Sequence, residues 1–128
     1  MDSTDNLVVL MTCGKMEEAE KIARALVEEG LAACVNLMPG ITSIYRWDEK
    51  LCQEPEVLMI AKTRPDRLEA FEARVKALHS YTVPEILALP LRAGSKDYLK
   101  WVGEVCGSPA MRTGVRTRAL IFSWTRRS

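Results

Sequence analysis

The stretch Leu31–Thr63 constrains the fold more than any other part of the chain. It reads LAACVNLMPGITSIYRWDEKLCQEPEVLMIAKT. Two extended runs, Leu31–Trp47 and Glu56–Thr63, flank the polar turn Asp48-Glu49-Lys50, and Pro39-Gly40 punctuates the first. A typical strand has about 5–6 residues. Unbroken, the first run would reach about 55 Å, against about 26 Å for an ordinary eight-residue strand. The hairpin therefore overhangs its own domain. Its overhang carries Ile41, Ile44, Tyr45 and Trp47, and an open edge with large apolar side chains must be paired or covered. No other strand of the chain is free to do so. The expected cover is a second copy, in a closed cyclic oligomer whose hairpins pair edge to edge.

The remaining segments alternate in type. Asn6–Cys13 is a nearly continuous apolar run, as in a strand buried on both faces. Lys15–Gly30 places Met16, Ala19, Ile22, Ala23, Leu26 and Val27 on one helical stripe, with Glu17 and Glu18 in the first turn and Gly30 as terminator. Leu31–Leu37 is a strand, Ile41–Trp47 continues it, and Glu56–Thr63 returns, with Pro55 expected at its start. Arg64–His79 repeats Leu68, Phe71, Val75 and Leu78 at helical spacing, with Thr63 as cap. Glu85–Leu91 is a strand. Ser95–Cys106 is a short helix capped by Ser95, with Tyr98, Leu99, Val102 and Val105 on its apolar face.

The order β-α-β-β-α-β with a terminal helix predicts an α+β, ferredoxin-like fold: an antiparallel sheet with helices on one face and a long β2–β3 hairpin. Residues 1–106 form one domain in this reading. Gly107–Ser128 carries five arginines and no acid, and reads as a basic, irregular extension. The whole chain is +1, so the body is mildly acidic, which argues against a nucleic-acid partner. No apolar run approaches the roughly 18 residues of a membrane span, and the acidic N-terminus MDSTDNLVVLM lacks a basic leader. A cytoplasmic protein with reduced thiols is expected.

Polar groups that can carry chemistry gather in three places: Thr12-Cys13 with Cys34 and Asn36; Tyr45, Trp47, Lys62 and Thr63; and the run from His79 to Glu85. His79 and Glu85 make an acid–base pair on paper, but His79 as a helix cap and Glu85 in an interface ion pair is the plainer reading. There is no GxSxG elbow, Walker loop or GxGxxG, and no zinc spacing among Cys13, Cys34, Cys52 and Cys106. Cys34, with Met11 and Met38 nearby in sequence, offers soft ligands that suit copper. Core packing explains the same residues.

Taken together, Leu31-Ala32-Ala33-Cys34-Val35-Asn36, Pro39-Gly40, Ser43-Ile44-Tyr45-Arg46-Trp47, Glu56-Val57, Lys62-Thr63, Val83-Pro84-Glu85-Ile86, Leu89-Pro90 and Tyr98-Leu99-Lys100-Trp101 resemble the divalent-cation-tolerance family, CutA. The resemblance covers about residues 7–106. It implies a homotrimer of ferredoxin-like subunits, similar in architecture to the PII signalling proteins. It also implies no enzymatic activity, a role in tolerance of copper or another divalent cation, and no cofactor required for folding. It marks Cys34 and His79 as metal candidates. An intersubunit cleft would take Asn36, Tyr45, Trp47, Lys62, Tyr81, Glu85 and Trp101. The chain departs from the family pattern at Ser80 and Thr82, in a hairpin turn without glycine, and at Met11, where some members have Cys. A PII-like small-molecule sensor is the alternative, although Pro39-Gly40 and the short turn make a stiff hairpin. A hydrolase or isomerase using His79 and Glu85 ranks last.

Overall fold

The computed structural model describes residues 6–106. The predicted extension, 107–128, lies outside them. Eight elements follow in order: β1 (Leu7–Cys13), α1 (Met16–Glu28), β2 (Cys34–Trp47), β3 (Lys50–Thr63), a 3-10 turn (Pro65–Arg67), α2 (Leu68–Leu78), β4 (Ile86–Pro90) and α3 (Lys96–Val105). One sheet runs in the order β2-β3-β1-β4, and every pair in it is antiparallel. This is the expected α+β architecture.

The helices form where the apolar stripe predicts. Ala19, Ile22 and Leu26 of α1 and Phe71 and Val75 of α2 are buried against Val9, Met11 and Cys13 of β1 and Val57, Met59 and Ala61 of β3. Phe71 is fully buried, so its truncation to Ala would cost about 3–5 kcal/mol. Gly30 has φ of 72°, and the amides of Gly30 and Leu31 return to the carbonyls of Val27 and Leu26. That pairing satisfies the open end of α1 and turns the chain into β2. Residues 31–33 therefore belong to this turn, and β2 starts at Cys34 rather than Leu31.

Three further boundaries differ from the sequence reading. Pro39-Gly40 does not break β2. The register shifts between Met38 and Ile41, so one extra residue of β2 lies opposite Val57, and Gly40 takes a φ of 84°. This is a β-bulge, a place where glycine supplies the positive φ. β3 begins at Lys50, which pairs with Trp47, so only Asp48 and Glu49 form the turn. Pro55 sits in mid-strand opposite Thr42. It is tolerated because β1 joins β3 only from Val57 onward, leaving that part of β3 with one free edge. Thr63 does not cap α2, since its hydroxyl donates to the buried Leu31 carbonyl at 2.6 Å. The α-helix itself starts at Leu68, after the 3-10 turn.

The one-sided part of β3, residues 50–56, extends about 23 Å past the sheet. The overhang read from the sequence is thus present, and Ile44, Trp47 and Leu51 on it are exposed by 63, 64 and 79%. The sheet's second face also lacks cover among the described residues. Strand alternation places Val8, Leu10, Leu58, Ile60, Met38, Leu87 and Leu89 opposite the helices. Met38, Leu87 and Leu89 are about half exposed. α3 packs elsewhere, at the end of the sheet where Val102 and Cys106 meet Ala33. It is held there by Arg64, which donates to the Gly103 carbonyl, and by Asn6, which donates to the Leu99 carbonyl, both at 3.0 Å.

Asp48 and Glu49 both have positive φ, 54° and 64°, the geometry of a two-residue hairpin turn that Asn-Gly fits best. Replacing them together (Asp48→Asn with Glu49→Gly) is expected to stabilise the protein by about 1 kcal/mol. Urea unfolding at fixed protein concentration measures it, and an unchanged midpoint would contradict the assigned turn.

Candidate functional site

The bulge decides which side chains of the hairpin meet. Below it, Cys34, Asn36 and Met38 share a face with Lys62, Ile60 and Leu58. Above it, Ile41, Ser43, Tyr45 and Trp47 pair with Glu56, Glu54, Cys52 and Lys50. All of these β3 partners alternate on one face, so the extra residue keeps Tyr45 and Trp47 on the face that carries Glu54 and Glu56. The Tyr45 hydroxyl donates to Glu54 on the diagonal at 2.7 Å.

The loop after α2 closes on this face. His79 ends the helix with extended backbone angles. Tyr81 follows, and its hydroxyl donates to Glu56 at 2.7 Å. Gly14 makes room for that ring, since a Cβ there would lie 3.2 Å from the Tyr81 hydroxyl. The result is a cavity of about 760 Å³ between hairpin and loop. Its walls include Glu54, Glu56, Glu85, Tyr45, Trp47 and Tyr81. Both phenols resist ionisation. The hydrogen bond to the Glu54 carboxylate pushes Tyr45 up to about 12. Burial, followed by the bond to Glu56, raises Tyr81 further.

A second cluster lies behind the loop. Cys13 Sγ, a Glu18 carboxylate oxygen and a His79 ring nitrogen all fall within 4.8 Å of one another. The His79 ring is buried. Its Nε2 lies 2.8 Å from the Thr12 carbonyl, so Nε2 carries the proton. Nδ1 accepts the Tyr81 amide at 3.1 Å and stands 3.4 Å from Glu18. Burial pushes the Cys13 thiol up to about 11, with the Glu18 carboxylate adding to the effect. Burial also opposes the Glu18 charge, but the Ser80 amide, donating at 2.6 Å, and His79 outweigh it and hold Glu18 below its ordinary value.

The residues singled out in the sequence thus fall into separate places. Tyr45, Trp47, Tyr81 and Glu85 do share one cavity. His79 adjoins it through Tyr81, their ring centroids 4.7 Å apart, but it faces Glu18 and Cys13. Glu85 is not a hydrogen-bond or ion-pair partner of His79 among the described residues, so the two make no acid–base pair. Cys34, Asn36 and Lys62 form a group of their own, with Lys62 bonded to Asn36 and 4.0 Å from Cys34 Sγ. Lys62 pairs with Val8, whereas Thr12 pairs with Leu58. Four residues of strand, about 13 Å, therefore separate Cys34 from His79, and they do not share a site within one chain. Trp101 sits on α3 against Tyr98, at 5.7 Å between centroids, among the cluster around Ala33.

Glu18, Glu54, the pairing of Cys13 with His79 and the cavity role of Glu56 escape the sequence reading. Glu54 and Glu56 carry a usable signal, because they alternate with Cys52 and Leu58 on β3. Glu18 carries none, since its partner His79 is 61 positions away.

A sequence model described as CutA1 divalent ion tolerance protein matches residues 7–105. The "Divalent-cation tolerance protein CutA" of Thermus thermophilus is 52% identical over 100 residues, spanning 78% of this chain and 97% of that protein. The "Protein CutA, chloroplastic" of Arabidopsis thaliana is 45% identical over 97 residues, which are 76% of this chain but only 53% of that relative. Among solved structures, the divalent cation tolerance protein (Cut A1) from Thermus thermophilus superposes with a TM-score of 0.78 at 51% identity, over 80% of this chain and 99% of that one.

The Tyr45 hydrogen bond is testable by alkaline titration. Carboxylate contact favours the neutral phenol, so Tyr45 should ionise at about 12 rather than at the usual value of about 10. Stability from this contact is complete below the unfolded value and lost as pH rises toward the folded one. Glu54→Gln should bring the midpoint down, read from phenolate absorbance against a Tyr45→Phe reference. A wild-type midpoint near the ordinary value would show the bond absent.

Proposed function

The chain belongs to the CutA1 divalent ion tolerance family, and on that premise we propose that it is a homotrimeric, non-enzymatic protein that binds copper or a related divalent ion in the cytoplasm. The observation that carries the reading is the convergence of Cys13, Glu18 and His79 within 4.8 Å. A thiolate, an imidazole and a carboxylate form a mixed ligand set that suits copper or zinc. The Thr12 carbonyl fixes the proton on Nε2, which leaves Nδ1 as the ligand nitrogen, the usual arrangement behind a metal-bound histidine. An ion would release the Cys13 proton and displace the Tyr81 amide from Nδ1. Cys34 then serves assembly or packing beside Lys62.

Two apolar surfaces support the trimer: the outer sheet face with Leu87 and Leu89, and the overhanging hairpin. Burying each such side chain contributes about 1.5–3 kcal/mol. All four cysteines are free, as suits a reducing compartment. No helix of the described residues is long and apolar enough to cross a membrane. A second reading, a PII-like sensor with a small molecule in the intersubunit cleft, draws on the cavity between hairpin and loop.

Calorimetry with Cu²⁺ and Zn²⁺ tests the metal site. Cys13→Ser and Glu18→Gln should each weaken binding by about tenfold or more, while Cys34→Ser leaves it unchanged. Loss of binding in Cys34→Ser but not in Cys13→Ser would sink the assignment. Sedimentation velocity should report three chains at micromolar protein, and Leu87→Glu with Leu89→Glu should yield smaller species. A wild-type monomer would remove the trimer.

A further inference from the structure

Of the three groups that meet at Cys13, Glu18 and His79, only Glu18 reaches water. Its side chain is 19% exposed, whereas Cys13 and the His79 ring are fully buried. A glutamate in the first turn of a helix is able to turn outward, as its neighbour Glu17 does. Ser80 turns Glu18 inward. The Ser80 amide donates to a Glu18 carboxylate oxygen at 2.6 Å, across 62 positions of chain, and the Ser80 hydroxyl acts on the same carboxylate. That oxygen stands 3.4 Å from His79 Nδ1. The other contacts of Glu18 in the cluster are the Cys13 thiol and the His79 ring, which are candidate ligands themselves. An amide donating to a carboxylate makes a strong, charge-assisted bond, and partners of this kind orient metal ligands. Ser80 therefore decides where the cluster's oxygen ligand points.

A carboxylate oxygen matters unequally to different ions. Zn²⁺ accepts Cys, His and Glu together, and a thiolate with a carboxylate sets two negative charges against its two positive ones. Cu⁺ is soft and singly charged, and is served by thiolate and imidazole without a carboxylate. We propose that Ser80 is a positioning residue that selects divalent over monovalent ions here, its backbone amide holding the Glu18 carboxylate beside Cys13 and His79. The inference rests on the metal reading of this cluster and adds the charge class of the ion. On binding of a divalent ion Cys13 releases its proton, and Glu18 supplies the second negative charge. Without the Ser80 amide the carboxylate turns to water as Glu17 does, and the site keeps only the two ligands that suit Cu⁺.

Ser80→Pro is the direct test. Proline has no amide hydrogen and requires an extended residue before it, and His79 already has φ of −79° and ψ of 142°. The full-length chain is titrated with Zn²⁺ by calorimetry, and with Cu⁺ by competition against a chromogenic chelator under reducing conditions. Ser80→Pro should weaken Zn²⁺ about tenfold and leave Cu⁺ within about twofold. Ser80→Ala keeps the amide and should lose less Zn²⁺ affinity, so a loss as large as in Ser80→Pro overturns the inference. Glu18→Gln leaves the backbone unchanged and should show the same selectivity even if Ser80→Pro folds poorly. An unchanged Zn²⁺ affinity in Ser80→Pro, or an equal loss of both ions in either variant, also overturns the inference and leaves the metal site standing. A wild-type chain that binds neither ion removes the metal reading and the inference with it.

Discussion

One inserted residue at Pro39-Gly40, opposite Val57, sets the geometry on which the site depends. Side chains alternate across a strand, so an insertion moves every later residue to the other face. Without it, Ile44 and Arg46 would share a face with Glu54 and Glu56, and Tyr45 and Trp47 would point away. With it, the aromatic residues of β2 and the carboxylates of β3 lie side by side. Gly40 permits this because the bulge demands a φ of 84°, a region that costs a residue with a Cβ about 1 kcal/mol or more. The proline beside it has no amide hydrogen to leave unpaired where the ladder is interrupted.

The sheet then divides its duties between two faces. One face meets α1 and α2 and forms the core around Met11, Met59 and Phe71. The other carries an apolar set that the described part of the chain leaves open. Both faces of β1, and of β3 from Val57 to Ala61 beside it, are therefore apolar, and the continuous hydrophobic character of Asn6–Cys13 has a physical cause. Alternation is absent there because neither face is built for water. An ordinary half-buried strand would read polar at Val8 and Leu10.

Most of the fold was legible because periodicity reports faces directly. The stripes of α1 and α2 predict the buried residues Ala19, Ile22, Leu26, Phe71 and Val75, and Ser95 does accept the Tyr98 amide at 3.4 Å as a cap. Boundaries fail where one dipeptide allows two structures. Pro39-Gly40 reads equally as a break or a bulge, and only pairing with β3 distinguishes them. Asp48-Glu49-Lys50 lacks the glycine that normally announces a two-residue turn, so the sequence alone assigns Lys50 to the turn. The site was legible in its residue types but not in its grouping. Alternation cannot say how far along a strand a residue lies from the loop that will meet it. Cys34 and Tyr45 belong to one strand, yet Cys34 sits beside Lys62 while Tyr45 meets Glu54, eight positions earlier on β3.

Tyr81 joins the two clusters. Its amide donates to His79 Nδ1, and its hydroxyl donates to Glu56, 23 positions from His79 in the chain. The first contact belongs to the cluster of Cys13 and Glu18, the second to the acidic cavity. Gly14, next to Cys13, leaves the space that the Tyr81 ring occupies. The residues beside Cys13, Glu18 and His79 and the wall of the cavity are thus the same short piece of backbone seen from two sides. Each buried polar group there has a partner whose loss would leave another exposed to an apolar surrounding. One residue, Tyr81, thus holds both His79 Nδ1 and Glu56 in place.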